Sequence, residues 1–234
     1  MIEIGGLQKS TLIDYPGHIA CTVFLVGCNF RCPWCHSPEI VLPEIIIQQP
    51  KISNQEFFEF LDLRKGLLQG VVVCGGEPTI NKDLPEFISE IKRRGFKVKL
   101  DTNGSNPTAI KELFANQLLD YVAMDVKASF REPDYSTATG ACIDPKRIME
   151  SVELIKSSGV DYEFRTTIVP GLHGKEDIKE IAKAISPAKK YFLQAFRSIK
   201  NIDASLVGSP TPSDEFMKEL REEVRGMFDI CEIR

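Results

Sequence analysis

The feature that most constrains this chain is the way short β-branched runs alternate with longer amphipathic stretches. Runs at residues 19–26, 70–74, 97–101, 121–126, 162–169 and 190–196 read as strands. Ser53 with Glu56 makes a capping box that opens a helix to about residue 65. Residues 84–94 read as a helix stopped by Gly95, and 107–116 as one with Pro107 near its start. Asp144 caps a helix to Ser158, 175–185 is followed by Pro187, and Ser213 caps a last helix to about residue 226. Residues 228–233 read as one more short strand. About six β-then-α units in succession predict a parallel sheet covered by helices. Right-handed crossovers would curl it into an open sheet or a full or partial barrel. Segments 134–144 and 199–212 read as loops, and neither marks a boundary, so one domain over 1–234 is the simplest organisation.

Charge narrows the function classes. With 29 basic and 33 acidic residues, net −4, the chain has no electrostatic footprint for nucleic acid or an anionic membrane. No apolar run approaches the roughly 18 residues that span a bilayer. The first residues show no basic-then-apolar secretory pattern, so the cytoplasm is the expected compartment. Seven cysteines are present, at 21, 28, 32, 35, 74, 142 and 231. An odd count, with three of them crowded together, points to metal binding or catalysis rather than a disulfide framework.

The crowded segment is Gly27-Cys28-Asn29-Phe30-Arg31-Cys32-Pro33-Trp34-Cys35-His36, spaced C-x3-C-x2-C directly after a predicted strand. Three thiolates on one tight loop reach three corners of a cubane iron–sulfur cluster. The fourth iron then lacks a protein ligand, and an open position is what chemistry needs. Zinc on the three cysteines plus His36 is the rival, but Cys35 and His36 are adjacent, and neighbouring side chains rarely reach one ion. A redox dithiol at Cys32 and Cys35 leaves Cys28 unexplained. Unligated buried cysteines are the remaining alternative.

Other motifs share a position with this one. Gly75-Gly76-Glu77-Pro78, Thr102-Asn103-Gly104, Asp125 with Lys127, and Pro170-Gly171 all follow predicted strands. In parallel α/β folds those ends form the ligand-binding face. The two glycines let backbone approach a ligand closely, and Glu77 would receive an ammonium group or brace the loop. Asp125 and Lys127 alternate on one strand and point the same way, as an ion pair or as ligand contacts. His173 reads as a surface or loop histidine; Cys21, Cys142 and Cys231 read as ordinary residues.

The C-x3-C-x2-C loop after the first strand of a β/α chain resembles the radical S-adenosylmethionine superfamily. The wider run is Ser10-Thr11-Leu12-Ile13-Asp14-Tyr15-Pro16-Gly17, leading into Phe24 through Glu39. It is similar to the glycyl-radical-enzyme activating branch, and within it to activating proteins of anaerobic ribonucleoside-triphosphate reductase. The likeness spans essentially the whole chain and is strongest in 10–40 and 71–79. It implies a partial (β/α)6 TIM-like barrel holding one [4Fe–4S] cluster on Cys28, Cys32 and Cys35. It also implies S-adenosyl-L-methionine chelated to the open iron and cleaved reductively to a 5′-deoxyadenosyl radical. By the same likeness Gly75, Gly76, Glu77 and Pro78 bind the methionine moiety, and Thr102 and Asn103 lie near sulfonium and ribose. Asp125 and Lys127 contact nucleoside or methionine carboxylate, and Gln194 and Arg197 flank adenine; Arg165 binds a carboxylate or makes a structural salt bridge, Trp34 packs beside adenine or shields the cluster, and His36 is counted with the cofactor-binding residues. Cys74 departs from the Ser or Thr usual before the Gly-Gly element.

The implied substrate is a glycine Cα of a glycyl radical enzyme, such as anaerobic ribonucleotide reductase. The implied electron donor is flavodoxin or ferredoxin. No catalytic residue beyond the cluster and S-adenosylmethionine is expected. Two rivals stay open: a radical enzyme acting on a purine or cofactor precursor, and a non-enzymatic iron–sulfur or zinc-binding protein.

Overall fold

The computed structural model describes residues 2–234. Among the described residues eight strands form one sheet, ordered as they occur in the chain. They are β1 (Ile4–Thr11), β2 (Ala20–Leu25), β3 (Gly70–Gly75), β4 (Lys97–Thr102), β5 (Tyr121–Asp125), β6 (Asp161–Ile168), β7 (Ala188–Ala195) and β8 (Phe228–Ile233). β1 is antiparallel to β2, whereas the β2–β3, β3–β4, β6–β7 and β7–β8 pairs are parallel. The predicted alternation is therefore present in β2 to β7. The described residues fall into two compact units, one of residues 2–29, 37–102 and 108–122, the other of 30–36, 103–107 and 123–234.

In the first unit the centre of β3, Val71-Val72-Val73, is buried on both faces, and β2 buries Cys21, Val23 and Leu25. Strands buried on both faces must be almost continuously apolar, which these are. The helices α3 (Asn54–Leu63) and α4 (Leu84–Arg93) cover this sheet, with Phe57 and Phe87 stacked at 5.4 Å. The capping box that opens α3 is complete: Ser53 Oγ accepts from Glu56 N, and Glu56 accepts from Ser53 N. α5 (Pro107–Ala115) follows β4. Short helices α1 (Pro38–Val41) and α2 (Pro43–Ile46) follow the cysteine segment.

Sequence pattern does not reveal β1. Its residues Gly5, Gly6, Gln8, Lys9 and Ser10 lack alternation, and pairing with β2 is what extends them. The pairing shifts register twice, and a Cβ on Gly5 would stand 2.6 Å from the Ile40 side chain.

In the second unit β6 and β7 bury Phe164, Ile168, Tyr191 and Leu193. They pack with α7 (Pro145–Ser157), α8 (Lys175–Ile185) and α9 (Asp214–Val224), whose buried apolar residues recur at helical spacing. Segment 134–144, expected to be a loop, contains helix α6 (Asp134–Thr139), which ends on Gly140 with φ +59°. Six residues with two threonines and a serine carry too little helical signal to be read locally. Segment 199–212 is irregular apart from one 3-10 turn at Ala204–Leu206. No helix among the described residues is long and apolar enough to cross a membrane.

Candidate functional site

In the first unit the ends of β2 and β3 are locked together by backbone. Gly76 N donates to Leu25 O at 3.0 Å, and Glu77 N donates to Gly27 O at 2.8 Å. This contact is why two glycines are needed. A Cβ on Gly75, at φ +129°, would lie 2.2 Å from Leu25 O; one on Gly76 would lie 2.0 Å from Gly27 O and 3.0 Å from Cys28 Cβ. The Gly-Gly pair therefore packs directly beneath the start of the cysteine loop, and Cys28 is half-buried there.

Glu77 is fully buried. Its Oε1 accepts from Thr79 N at 3.1 Å, from the Thr79 hydroxyl, and from the Thr102 hydroxyl at 2.7 Å. Of its two expected roles, bracing the loop is therefore the one made by Oε1. Pro78 opens the 3-10 turn that Glu77 caps. Thr102 is thus tied to the Gly-Gly-Glu-Pro element. Sequence reading passed over Lys99, whose side chain is buried, pairs with Asp101, and lies 5.9 Å over the Tyr121 ring. The alternation of Lys99 and Asp101 along β4 was the available signal.

The second unit holds the rest of the cysteine loop. Cys35 N donates to Cys32 O at 3.0 Å, closing a turn around Pro33 and Trp34. Cys32 and Trp34 are buried. Burial pushes the Cys32 thiol up to about 11, against the ammonium of Lys127, which favours the thiolate. Two segments hold this loop. Thr139 O, at the end of α6, accepts from Arg31 N at 2.7 Å. The irregular segment after β7 takes up two carbonyls of the loop: Asp203 N donates to Pro33 O at 2.9 Å and Ile202 N to Cys35 O at 3.1 Å. The exposed His36 donates from Nε2 to Arg197 O at 2.7 Å. Arg197 is exposed and Gln194 half-buried.

Asp125, at the end of β5, bridges two cations. Lys127 Nζ is 3.0 Å from Oδ2 and Arg165 Nε 2.7 Å from Oδ1. Burial alone would raise the Asp125 carboxyl, but the Arg165 and Lys127 charges overcome it and hold the group well below the usual carboxylate range. Burial would likewise lower Lys127, and Asp125 reverses that, raising it. The trio carries one net positive charge at neutral pH. Behind it Glu163, buried, pairs with Arg234 at 2.9 Å. Asn103 Oδ1 accepts from Ser105 N at 2.9 Å. Gly104, at φ +73°, packs so closely on Met124 that a Cβ would sit 2.2 Å from its Cε. Thr102-Asn103-Gly104 is thus a tight turn.

His173 lies in the loop after β6, one of the two places expected for it, but not at the surface. It is 4 % exposed, because Leu172 and His173 both donate their backbone N–H to Val169 O and the turn after β6 tucks the ring inward. Burial lowers its pKa, opposed by a bond to the Lys127 carbonyl. Cys21 and Cys231 are buried and Cys142 exposed.

All seven cysteines stand as thiols. Among the described residues no set of three or more His, Cys, Asp or Glu side chains stands at metal-holding separation. The donor chemistry of the loop, three thiols with an ammonium beside the buried one, fits a thiolate-ligated cluster.

Comparison with known proteins gives the family of the chain. The family model described as the radical SAM superfamily matches residues 22–185. A candidate glycyl-radical enzyme activating enzyme of Methanocaldococcus jannaschii is 34 % identical over 99 % of this chain and 95 % of its own length. The pyruvate formate-lyase-activating enzyme of Clostridium pasteurianum is 28 % identical over 79 % of this chain and 76 % of its own. Among solved structures, QueE from Escherichia coli covers 100 % of this chain and 93 % of its own, with TM-score 0.59 and 14 % identity. Streptococcus suis SuiB bound to S-adenosylmethionine aligns with TM-score 0.67 and 13 % identity over 88 % of this chain, which spans about half (48 %) of that structure. These two likenesses bear on the fold, a mostly parallel sheet of the partial-barrel kind.

Proposed function

This chain belongs to the radical SAM superfamily and to its glycyl-radical-enzyme activating branch, and from that premise we propose that it makes a glycyl radical on a partner enzyme. The family implies a [4Fe–4S] cluster and S-adenosylmethionine. We assign the cluster to Cys28, Cys32 and Cys35. Held by these three thiolates and reduced, the cluster would supply the one electron needed for reductive cleavage of S-adenosylmethionine, and with it the oxidising power to remove a hydrogen atom from a glycine Cα.

The chain's own residues bind, orient and shield. Cys32 must lose its proton to ligate iron, and the Lys127 ammonium beside it stabilises the resulting thiolate. The net positive charge of Lys127, Asp125 and Arg165 suits the methionine carboxylate. Gly75 and Gly76 keep side chains out of the space beside Cys28, and Glu77 with Pro78 holds that backbone rigid. The Thr102-Asn103 turn lies at the end of the next strand, where sulfonium and ribose would sit. Trp34 shields the loop from water, while His36, Gln194 and Arg197 form the adenine side. Anaerobic ribonucleotide reductase is the finer partner assignment, with flavodoxin or ferredoxin as donor and the cytoplasm as compartment.

Full-length likeness to a candidate activating enzyme, with the cysteine spacing intact, is the observation that carries this reading. The test is anaerobic reconstitution with iron and sulfide, then dithionite and S-adenosylmethionine. Release of 5′-deoxyadenosine is expected, and its absence from fully loaded, reduced protein would sink the proposal. Cys32→Ala should lose the cluster and keep the fold. Mixing with candidate glycyl radical enzymes should give a glycyl radical signal by electron paramagnetic resonance. Silence with every co-occurring candidate would favour a small-molecule substrate.

A further inference from the structure

The buried imidazole of His173 has no part in the chemistry above, yet it makes three directed contacts. Val169 N donates to its Nδ1 at 3.0 Å. Nδ1 therefore carries no proton, which fixes the tautomer with the proton on Nε2. Nε2 donates to Lys127 O at 2.9 Å. The ring edge meets the Trp34 indole, inside the cysteine loop, with centroids 6.0 Å apart and planes at 77°.

The Lys127 contact falls where the sheet stops helping. The bond from Val126 N to Arg165 O, at 2.8 Å, is the preceding backbone contact along this stretch. Past it, the Lys127 peptide is gripped by side chains. Its N–H donates to Tyr135 Oη at 3.4 Å, and its carbonyl accepts from His173. Both side chains are buried, which limits the water that can compete for these bonds. The two bonds fix the two peptide planes that flank the Lys127 Cα, and together these set the direction in which its side chain leaves the backbone.

We propose that His173 is a positioning residue for S-adenosylmethionine binding: through Nε2 and the Lys127 carbonyl it aims Lys127 at the methionine carboxylate, while its ring edge keeps Trp34 against the same segment. This rests on the reading that Lys127 faces S-adenosylmethionine.

The test compares isosteric variants in reconstituted protein, reading the S-adenosylmethionine dissociation constant by anaerobic equilibrium dialysis, iron per chain, and thermal midpoint. His173→Asn retains an acceptor near the Nδ1 position and cannot reach Lys127 O. His173→Gln places an amide N–H near the Nε2 position. Asn should weaken binding about tenfold, the scale of one buried hydrogen bond, with iron per chain unchanged. Gln should stay within about threefold of the native affinity. A merely structural histidine would move the thermal midpoint and leave the affinity alone. Native affinity in His173→Asn, or equal loss in Asn and Gln, overturns the inference. Lys127→Ala separates the two levels. If it is weakened while His173→Asn is native, this inference alone fails. If Lys127→Ala binds normally, or the native protein does not bind, the underlying assignment falls and takes this inference with it. Should His173→Asn fail to fold, His173→Phe replaces it, with the same expected and overturning results.

Discussion

Gly76 shows how tightly single residues are specified around the cysteine loop. The atom nearest to an added methyl group is a backbone carbonyl oxygen, 2.0 Å away, which cannot rotate aside as a side chain would. Gly76→Ala should therefore cost about 3 kcal/mol in denaturant unfolding, the upper part of the overpacking range. Gly226→Ala, with nothing within 4 Å of the new methyl, should stay within about 0.5 kcal/mol. A near-neutral Gly76→Ala would mean that the strand ends do not meet as described. The need for glycine here was legible in the sequence, because Gly-Gly after an apolar strand signals close backbone approach. The fate of Glu77 was not. Its partner Thr102 lies 25 residues away, and no local pattern says whether a carboxylate will brace a loop or meet a ligand. His173 lies in a loop, as its sequence suggests, but its burial is not legible for the same reason: the carbonyl that holds it is 46 residues distant.

Elements decide how the loop is held. α6 ends at Gly140, whose left-handed backbone stops the helix, and a Cβ there would stand 2.6 Å from Arg31 O. That carbonyl lies beside the Arg31–Thr139 bond that anchors the cysteine loop. Gly140→Ala should thus lower iron uptake on reconstitution at least twofold, since it displaces the Arg31 backbone next to Cys32. Gly159→Ala is the matched control. It is also left-handed, at φ +76°, but nothing lies within 4 Å, so it should cost about 1 kcal/mol of backbone strain and leave iron uptake unchanged. Equal iron uptake in the two variants would remove α6 from the account. The sequence of segment 199–212 lacks strong periodicity and reads as a loop, and in secondary structure it nearly is one. What it does lies in bonds to the carbonyls of Pro33 and Cys35, a tertiary pairing without periodicity.

At the scale of the whole molecule, buried thiols make stability sensitive to alkali. Burial raises Cys21 to about 12 and Cys32 and Cys231 to about 11, above the ordinary thiol value of 9.0. The folded protein therefore holds these protons more tightly than the unfolded chain. Their contribution is complete below pH 9 and is lost as pH rises through 9 toward 11 and 12. The denaturant midpoint of cluster-free protein should fall across that window, and less steeply in Cys21→Ala. A flat midpoint from pH 9 to 11 would show that the thiols are more hydrated than their surroundings indicate. For Cys21 the burial follows from fold class, since β2 lies between β1 and β3 and is covered on both faces. By itself the sequence determined the order of strands and helices, the placing of C-x3-C-x2-C after β2, and the requirement for Gly-Gly after β3. Each is written in residues a few positions apart, where periodicity, capping and spacing act. Only the tertiary structure decided that β1 is a strand, that α6 is a helix, that Glu77 braces, and that His173 is interior. Those outcomes depend on hydrogen-bond partners and packing surfaces supplied by distant parts of the chain, and the chemistry of a residue does not say which partner folding will bring to it.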